Sequence, residues 1–389
     1  MSPSQRSWYP LFIISIIILL DSAGYGVIVP IIPDFVSRMN LSPIQVSSLY
    51  SLYGVVLLIF PIPFGIIADR IDRKTFLYLG LFCKAAALYG ITLADSYMGL
   101  LAARTVDAIA GSATWTVGLA MIADFYPQET IGSKFGIAVA AGEGGSVGGP
   151  LLSGPLADYF NDIRPPFYLM SALCALSVVL VVFMPKPRKT SSSLSPLQDI
   201  KTLLSRREII VIGLIFLVVA SFIGMIEPLY PVYLRNELGF TRTLINIAFG
   251  TLTGAFVIMM PPIGMLSDKV RPQKLIITGL AISALMAPGL VIFKEMIPLF
   301  FCLSVLGISW ALLIAPAFPL FTRSVKTVKI QFGISFGLFN AFWAGGFIVG
   351  PAIGGPLAQF FGILTPLIVF SIIMLTVLFV LMGEKFKID

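Results

Sequence analysis

The chain has 389 residues, of which 57% are hydrophobic and only 12% charged, and its mean hydropathy of +0.96 excludes a soluble globular domain as its main body. The net charge of +7 sits mostly in short segments between apolar runs, so positive-inside bias and anionic lipid account for it, with no nucleic-acid partner. The complete lack of histidine excludes a Ser-His-Asp hydrolase and any histidine-based metal site.

In chain order, apolar runs predict twelve membrane-spanning helices at 11–33, 47–68, 76–93, 98–123, 133–155, 165–184, 209–233, 244–267, 274–293, 297–319, 331–355 and 363–382. The expected class is an all-α membrane protein of two six-helix bundles, 1–184 and 209–389. The polar stretch 185–208, rich in Pro, Ser, Lys and Arg, reads as a cytoplasmic linker between them. With the N-terminus inside, nineteen Lys and Arg fall in inside segments and five in outside loops, so both termini are expected to be cytoplasmic. The first helix is too long for a removable signal peptide and lacks a small-residue cleavage site. Asn40-Leu41-Ser42, a formal glycosylation sequon, reads as a chance match close to the membrane. Cys83, Cys174 and Cys302 all fall in predicted helices and read as packing, with no disulfide, metal or cofactor expected.

The ionisable residues inside these runs carry the functional reading. Asp21 lies ten residues into the first run, roughly 15 Å along the helix and half-way across a ~30 Å hydrocarbon core. A charge there costs about 2.5–3.5 kcal/mol on insertion scales. The side chain must therefore face protein, water or a ligand, or take a proton, which makes it a site for a proton or a cation. Tyr25, one turn on, offers an aromatic wall on the same face. Lys84 in the third run is expected to snorkel to the inside surface. Arg104 and Asp107 are three apart on the fourth run and meet on one face, either as a neutralising pair or as part of a proton relay. Asp124, at the inside end of that run, is expected to join Asp69, Arg70 and Arg73 in a cytoplasmic latch. Glu143 in the fifth run is mid-membrane, read either as a proton site or as a buried partner of Arg104. The glycines around it, with Gly145, Gly149 and Pro150, read as helix packing and hinge residues. Glu227, just before Pro228, is expected near outside water and the substrate. Trp115, Trp310, Asn340 and Trp343, with Phe339, are candidates to line a cavity for cations or planar molecules.

The halves repeat. Pro30–Pro33 recurs as Pro228–Pro231 at an offset of 198, GIIADR at 65–70 as GMLSDK at 264–269 at 199, and GPLLSGPLADYF at 149–160 as GPAIGGPLAQFF at 350–361 at 201. A tandem duplication follows, with solute sites expected near the midplane between the two bundles. The second glycine motif makes Gly350 and Pro351 counterparts of Gly149 and Pro150.

At these residues the chain resembles the major facilitator superfamily. Gly65-Ile-Ile-Ala-Asp69-Arg70-Ile-Asp72-Arg73-Lys74 matches that family's loop between helices 2 and 3, with Asp72 in place of its second glycine, and the second copy keeps Gly264 and Asp268. Gly149-Pro150 followed by Ser153-Gly154 resembles the fifth-helix pattern of the superfamily's drug:proton antiporters, and Arg104 with the glycines after it resembles their fourth-helix pattern. Leu20-Asp21 ahead of Pro30–Pro33, with Ile226-Glu227-Pro228, is similar to vesicular monoamine transporters and their bacterial relatives. The resemblance implies the major facilitator fold. It also implies a secondary transporter that exchanges protons for hydrophobic cationic amines or drugs by alternating access.

On that reading Asp21, Arg104, Asp107, Glu143 and Glu227 couple protons, while Asp21, Tyr25, Trp115, Glu227, Trp310, Asn340 and Trp343 meet the substrate. Gly65, Asp69, Arg70, Arg73, Asp124, Gly264 and Asp268 form the cytoplasmic gate. The expected partners are a lipophilic cation or amine, protons and the lipid bilayer, for a monomer in a bacterial inner membrane. Two other readings stand: proton-coupled transport of a neutral or anionic solute anchored by Arg104, and a non-transporting receptor or lipid-handling protein. Gly333-Ile-Ser335-Phe-Gly337 matches a nucleophile-elbow pattern but opens a membrane helix with no base available. The Gly142–Gly149 run lacks the Gly-Lys-Ser/Thr of a phosphate loop, and no enzyme activity is expected.

Overall fold

The computed structural model describes residues 8–70, 72–185, 201–267, 269–326 and 332–383. The regular elements among them are all helical: α1 Tyr9–Gly26, a 3-10 turn Val29–Ile31, α2 Ile32–Met39, α3 Pro43–Ile59, α4 Pro61–Arg70, α5 Arg73–Thr92, α6 Tyr97–Phe125, α7 Gln128–Phe160 and α8 Arg164–Phe183. A single turn at 201–204 (α9) follows. Then come α10 Arg207–Asn236, α11 Arg242–Ser267, α12 Pro272–Met286, α13 Gly289–Ile292, α14 Met296–Lys326, α15 Phe332–Phe361 and α16 Leu364–Gly383.

Among the described residues, ten helical segments are long and apolar enough to cross a membrane, and α3 with α4, bent by 43° at Phe60, makes an eleventh. The 33-residue α7 is long enough too; its glycines, serines and Glu143 make it less apolar than the others. Proline at N1 or N2 starts α1, α2, α8 and α12, where its missing N–H costs no helical bond. The Ser96 hydroxyl accepts the Gly99 N–H at 3.2 Å and caps α6.

The chain forms two compact units. Unit 1 comprises Met1–Leu41, Val55–Ser193 and Phe240–Asn246; unit 2 comprises Ser42–Gly54, Leu194–Gly239 and Ile247–Asp389. Each unit repeats the other's packing. In unit 1, α7 lies against α1 so closely that a Cβ at Gly149 would strike the Ala23 carbonyl. In unit 2, α15 lies against α10 so that a Cβ at Gly350 would strike the Ser221 carbonyl. Only glycine permits either approach. The left-handed residues repeat as well. Among the described residues they are Asn40 and Gly239, 199 apart, and Asn161 and Gly362, 201 apart; each sits in a turn after a helix. The duplication read from three motifs therefore extends to backbone conformation.

Candidate functional site

Unit 1 holds a network of four charged side chains in its core. Asp21 comes from the middle of α1, Lys84 from the middle of α5, and Arg104 and Asp107 from α6. Lys84 Nζ lies 3.2 Å from Asp21 Oδ1 and 2.7 Å from Asp107 Oδ1. Arg104 NH1 donates to Asp107 Oδ2 at 2.7 Å, and the Arg104 guanidinium rests 5.2 Å from the centre of the Tyr25 ring. All four charged residues are exposed by 2% or less. Burying one ion costs several kcal/mol after relaxation, so these charges persist only because each faces an opposite one. Gly24, one turn from Asp21, makes room for the lysine stem: a Cβ there would come within 3.1 Å of Lys84 Cε.

This position corrects the expectation for Lys84. It is 11 residues from the start of α5, roughly 16 Å by helical rise, and eight from its end. No lysine side chain spans either distance to a membrane surface, and that depth was the available signal. Its partners lie on two other helices and left no mark in local spacing. The ion pair that Arg104 makes is with Asp107, at 2.7 Å, where the alternative reading of Glu143 expected a buried pair with that arginine.

Glu143 is exposed on α7, turned away from the face that packs on α1. It stands eleven residues, or three turns, before Gly154, and so on the same side of the helix. There a Cβ on Gly154 would come within 2.8 Å of the Arg242 carbonyl. On another side of the helix, Gly144 and Gly148 have open space at the Cβ position. The neighbouring Gly142 abuts Ile18 and the Trp115 ring, which sets Glu143 about one turn from the level of Asp21.

A second ionic cluster of unit 1 leaves no signal in local sequence spacing, because its members lie far apart in the chain. Arg242 donates to both Asp34 oxygens, at 2.6 and 3.0 Å, and to Asp158 at 3.2 Å. Asp158 also caps α11 by accepting from the backbone and hydroxyl of Thr243 at 2.9 and 2.6 Å.

A family model, the Major Facilitator Superfamily, matches residues 14–227 and 212–386. The chain belongs to the major facilitator superfamily. It is therefore a multi-pass membrane transporter of small molecules and not an enzyme. Similar curated proteins include the multidrug resistance protein MdtG of Proteus mirabilis, 26% identical over 74% of this chain and 74% of that one. The protein of the same name from a Rahnella species is 23% identical over 96% and 93%. Among solved structures, the fold matches a bacterial homologue of the human lysosomal transporter Spinster with a TM-score of 0.82, at 17% identity over 100% and 99% of the two chains. The nucleoside transporter NupG matches with a TM-score of 0.77, at 14% identity over 98% and 100%.

The remaining candidate residues are spread through both units. Arg73 NH1 meets Asp124 at 2.8 Å in a nearly buried pair, while Lys74 Nζ donates to the Met184 carbonyl at 2.6 Å and ties the same loop to the end of α8. The side chains of Asp69 and Arg70, residue Asp268 and most of the linker lie outside the described residues. Gly65 and Gly264 have open space at the Cβ position. In unit 2 Trp310 is buried edge-on against Phe222, with ring centres 6.0 Å apart. Trp343 is half-buried beside Phe347, and Asn340 is half-buried next to Phe339, which packs on Phe216. Glu227 is half-buried on α10 and already engaged with a neighbour. Pro150 and Pro351 lie inside α7 and α15.

Proposed function

We propose that this transporter exchanges protons for hydrophobic cations, amines or drugs among them, by alternating access. The observation that carries the reading is the mid-span carboxylate Asp21, held in a buried network whose formal charges sum to zero. A carboxylate so placed can accept a proton in exchange for its contact with Lys84, with no other covalent bond changed, and the site then becomes positive. Glu143, exposed at nearly the same depth, is the carboxylate free to attract a cation, with Trp115 beside it and Tyr25 near the network. A positive site disfavours a cation nearby, so proton and substrate exclude each other electrostatically, which is the requirement for exchange. The name of the multidrug resistance relatives agrees with a hydrophobic substrate. A reading in which Arg104 anchors an anionic solute is weaker, because Arg104 is already neutralised by Asp107 and covered by Tyr25.

The test uses purified protein in liposomes with an acidic lumen and an enclosed pH-sensitive dye. A panel of lipophilic amines and permanent cations is added outside, with empty liposomes alongside because neutral amines cross bilayers unaided. Protein-dependent alkalinisation by some of these cations, lost in Asp21→Asn, is expected. If Asp21→Asn and Glu143→Gln both exchange at the wild-type rate, the proposal is wrong.

A further inference from the structure

The four network charges are not held equally. Asp107 is gripped at both oxygens, by Lys84 at Oδ1 and Arg104 at Oδ2, each at 2.7 Å. Asp21 shares Lys84 at the longer distance of 3.2 Å, from a different helix. The Tyr25 phenol on α1, beside Arg104, and the Cys174 thiol on α8 are further titratable groups near the network, while Glu143 on α7 faces away. If Asp21 lets go, the Lys84 ammonium keeps a full ionic partner in Asp107. If Asp107 lets go, the Arg104 ion pair is lost and Lys84 keeps only its longer contact to Asp21.

We propose that Lys84 is the resident cation of the exchange cycle: its ammonium occupies Asp21 whenever Asp21 carries no proton, and falls back on Asp107 when a proton takes its place. In that step the Asp21 carboxylate gains one proton from water. Lys84 stays protonated, no other covalent bond changes, and the formal charge of the network rises from zero to one. Lys84 is thus a positioning residue. It holds Asp21 ionised and in place, so that the proton has a competitor to displace and Asp21 is not left bare in the empty carrier. The inference rests on the proton-for-cation reading and extends it to a residue that the motifs do not mark.

The experiment follows tetraphenylphosphonium, a permanent cation that carries no proton itself, into acid-loaded proteoliposomes. Cation entry and lumen alkalinisation are recorded separately for wild type, Lys84→Arg, Lys84→Met and Lys84→Met/Asp107→Asn. The double variant keeps the network's charge balanced, which guards against a misfolding artefact. Wild type and Lys84→Arg are expected to couple the two fluxes. Lys84→Met and the double variant are expected to pass the cation down its own gradient within about threefold of wild type, while proton counterflow falls by about tenfold or more. Proton counterflow near the wild-type level in the double variant would show that Lys84 is only a structural counter-ion. Loss of both fluxes in a folded double variant overturns the proposal equally. Wild type that moves the cation without protons sinks the proton-for-cation reading itself, an outcome distinct from a coupled wild type with an equally coupled variant.

Discussion

Unit 1 and unit 2 share a packing plan and differ in what they bury. Where α5 meets α6 in unit 1, Lys84 bridges to Asp107. Where α12 meets α14 in unit 2, Ser283 and Ser309 share a hydrogen bond of 2.6 Å. Ser283 stands 199 residues after Lys84, the same offset as the repeated loop. Among the described residues the buried charges Asp21, Arg73, Lys74, Lys84, Arg104 and Asp107 all belong to unit 1, while the buried polar side chains of unit 2 are serines. Unit 2 fills its interior instead with aromatic contacts, Phe222 against Trp310 and Phe370, and Phe216 against Phe339. Duplication preserved the scaffold, and charge was kept on one side of it. The lesson is that helix packing and buried charge are separable: close glycine contacts specify the first, and a few ionisable side chains the second.

The largest expected effect separates the two units most sharply. Asp107→Asn leaves Lys84 and Arg104 short of an anion and should cost about 3–5 kcal/mol of stability, read as a loss of thermal stability in detergent. Lys84→Met/Asp107→Asn should recover most of it, and a double variant no more stable than the single would show that charge balance is not what holds this core. An intermediate effect should be equal in both units. Gly149→Ala and Gly350→Ala each force a helix pair apart and should cost about 1–3 kcal/mol. A loss confined to one of them would break the structural equivalence of the halves. Ser283→Ala is expected to matter least, at about 1 kcal/mol for a neutral hydrogen bond. A penalty matching that of Asp107→Asn would overturn the contrast between a charged and a neutral core.

Much of this was legible in the sequence. Apolar run length and the three repeated motifs expose the helical fold and its duplication, because a bilayer imposes a minimum span and a repeat survives in its glycines and prolines. Arg104 and Asp107 could be paired from their spacing, and Asp21 flagged from its depth. Lys84 was misread because its two partners sit on α1 and α6, and local periodicity carries no record of contacts between helices. The Arg242 cluster was missed for the same reason: Asp34, Asp158 and Arg242 are far apart in the chain, and each looks like an ordinary loop charge.

The balance of the buried network has an electrical consequence. With Asp21, Lys84, Arg104 and Asp107 all ionised, the charges cancel, and a membrane potential does no net work when this core shifts across the field. One added proton leaves an uncompensated charge, on which 100 mV acts with about 2.3 kcal/mol for a full crossing. Voltage would then act on the proton-loaded network and leave the unprotonated network itself nearly indifferent. How much a voltage contributes would thus depend on which form of a single carboxyl group makes the journey.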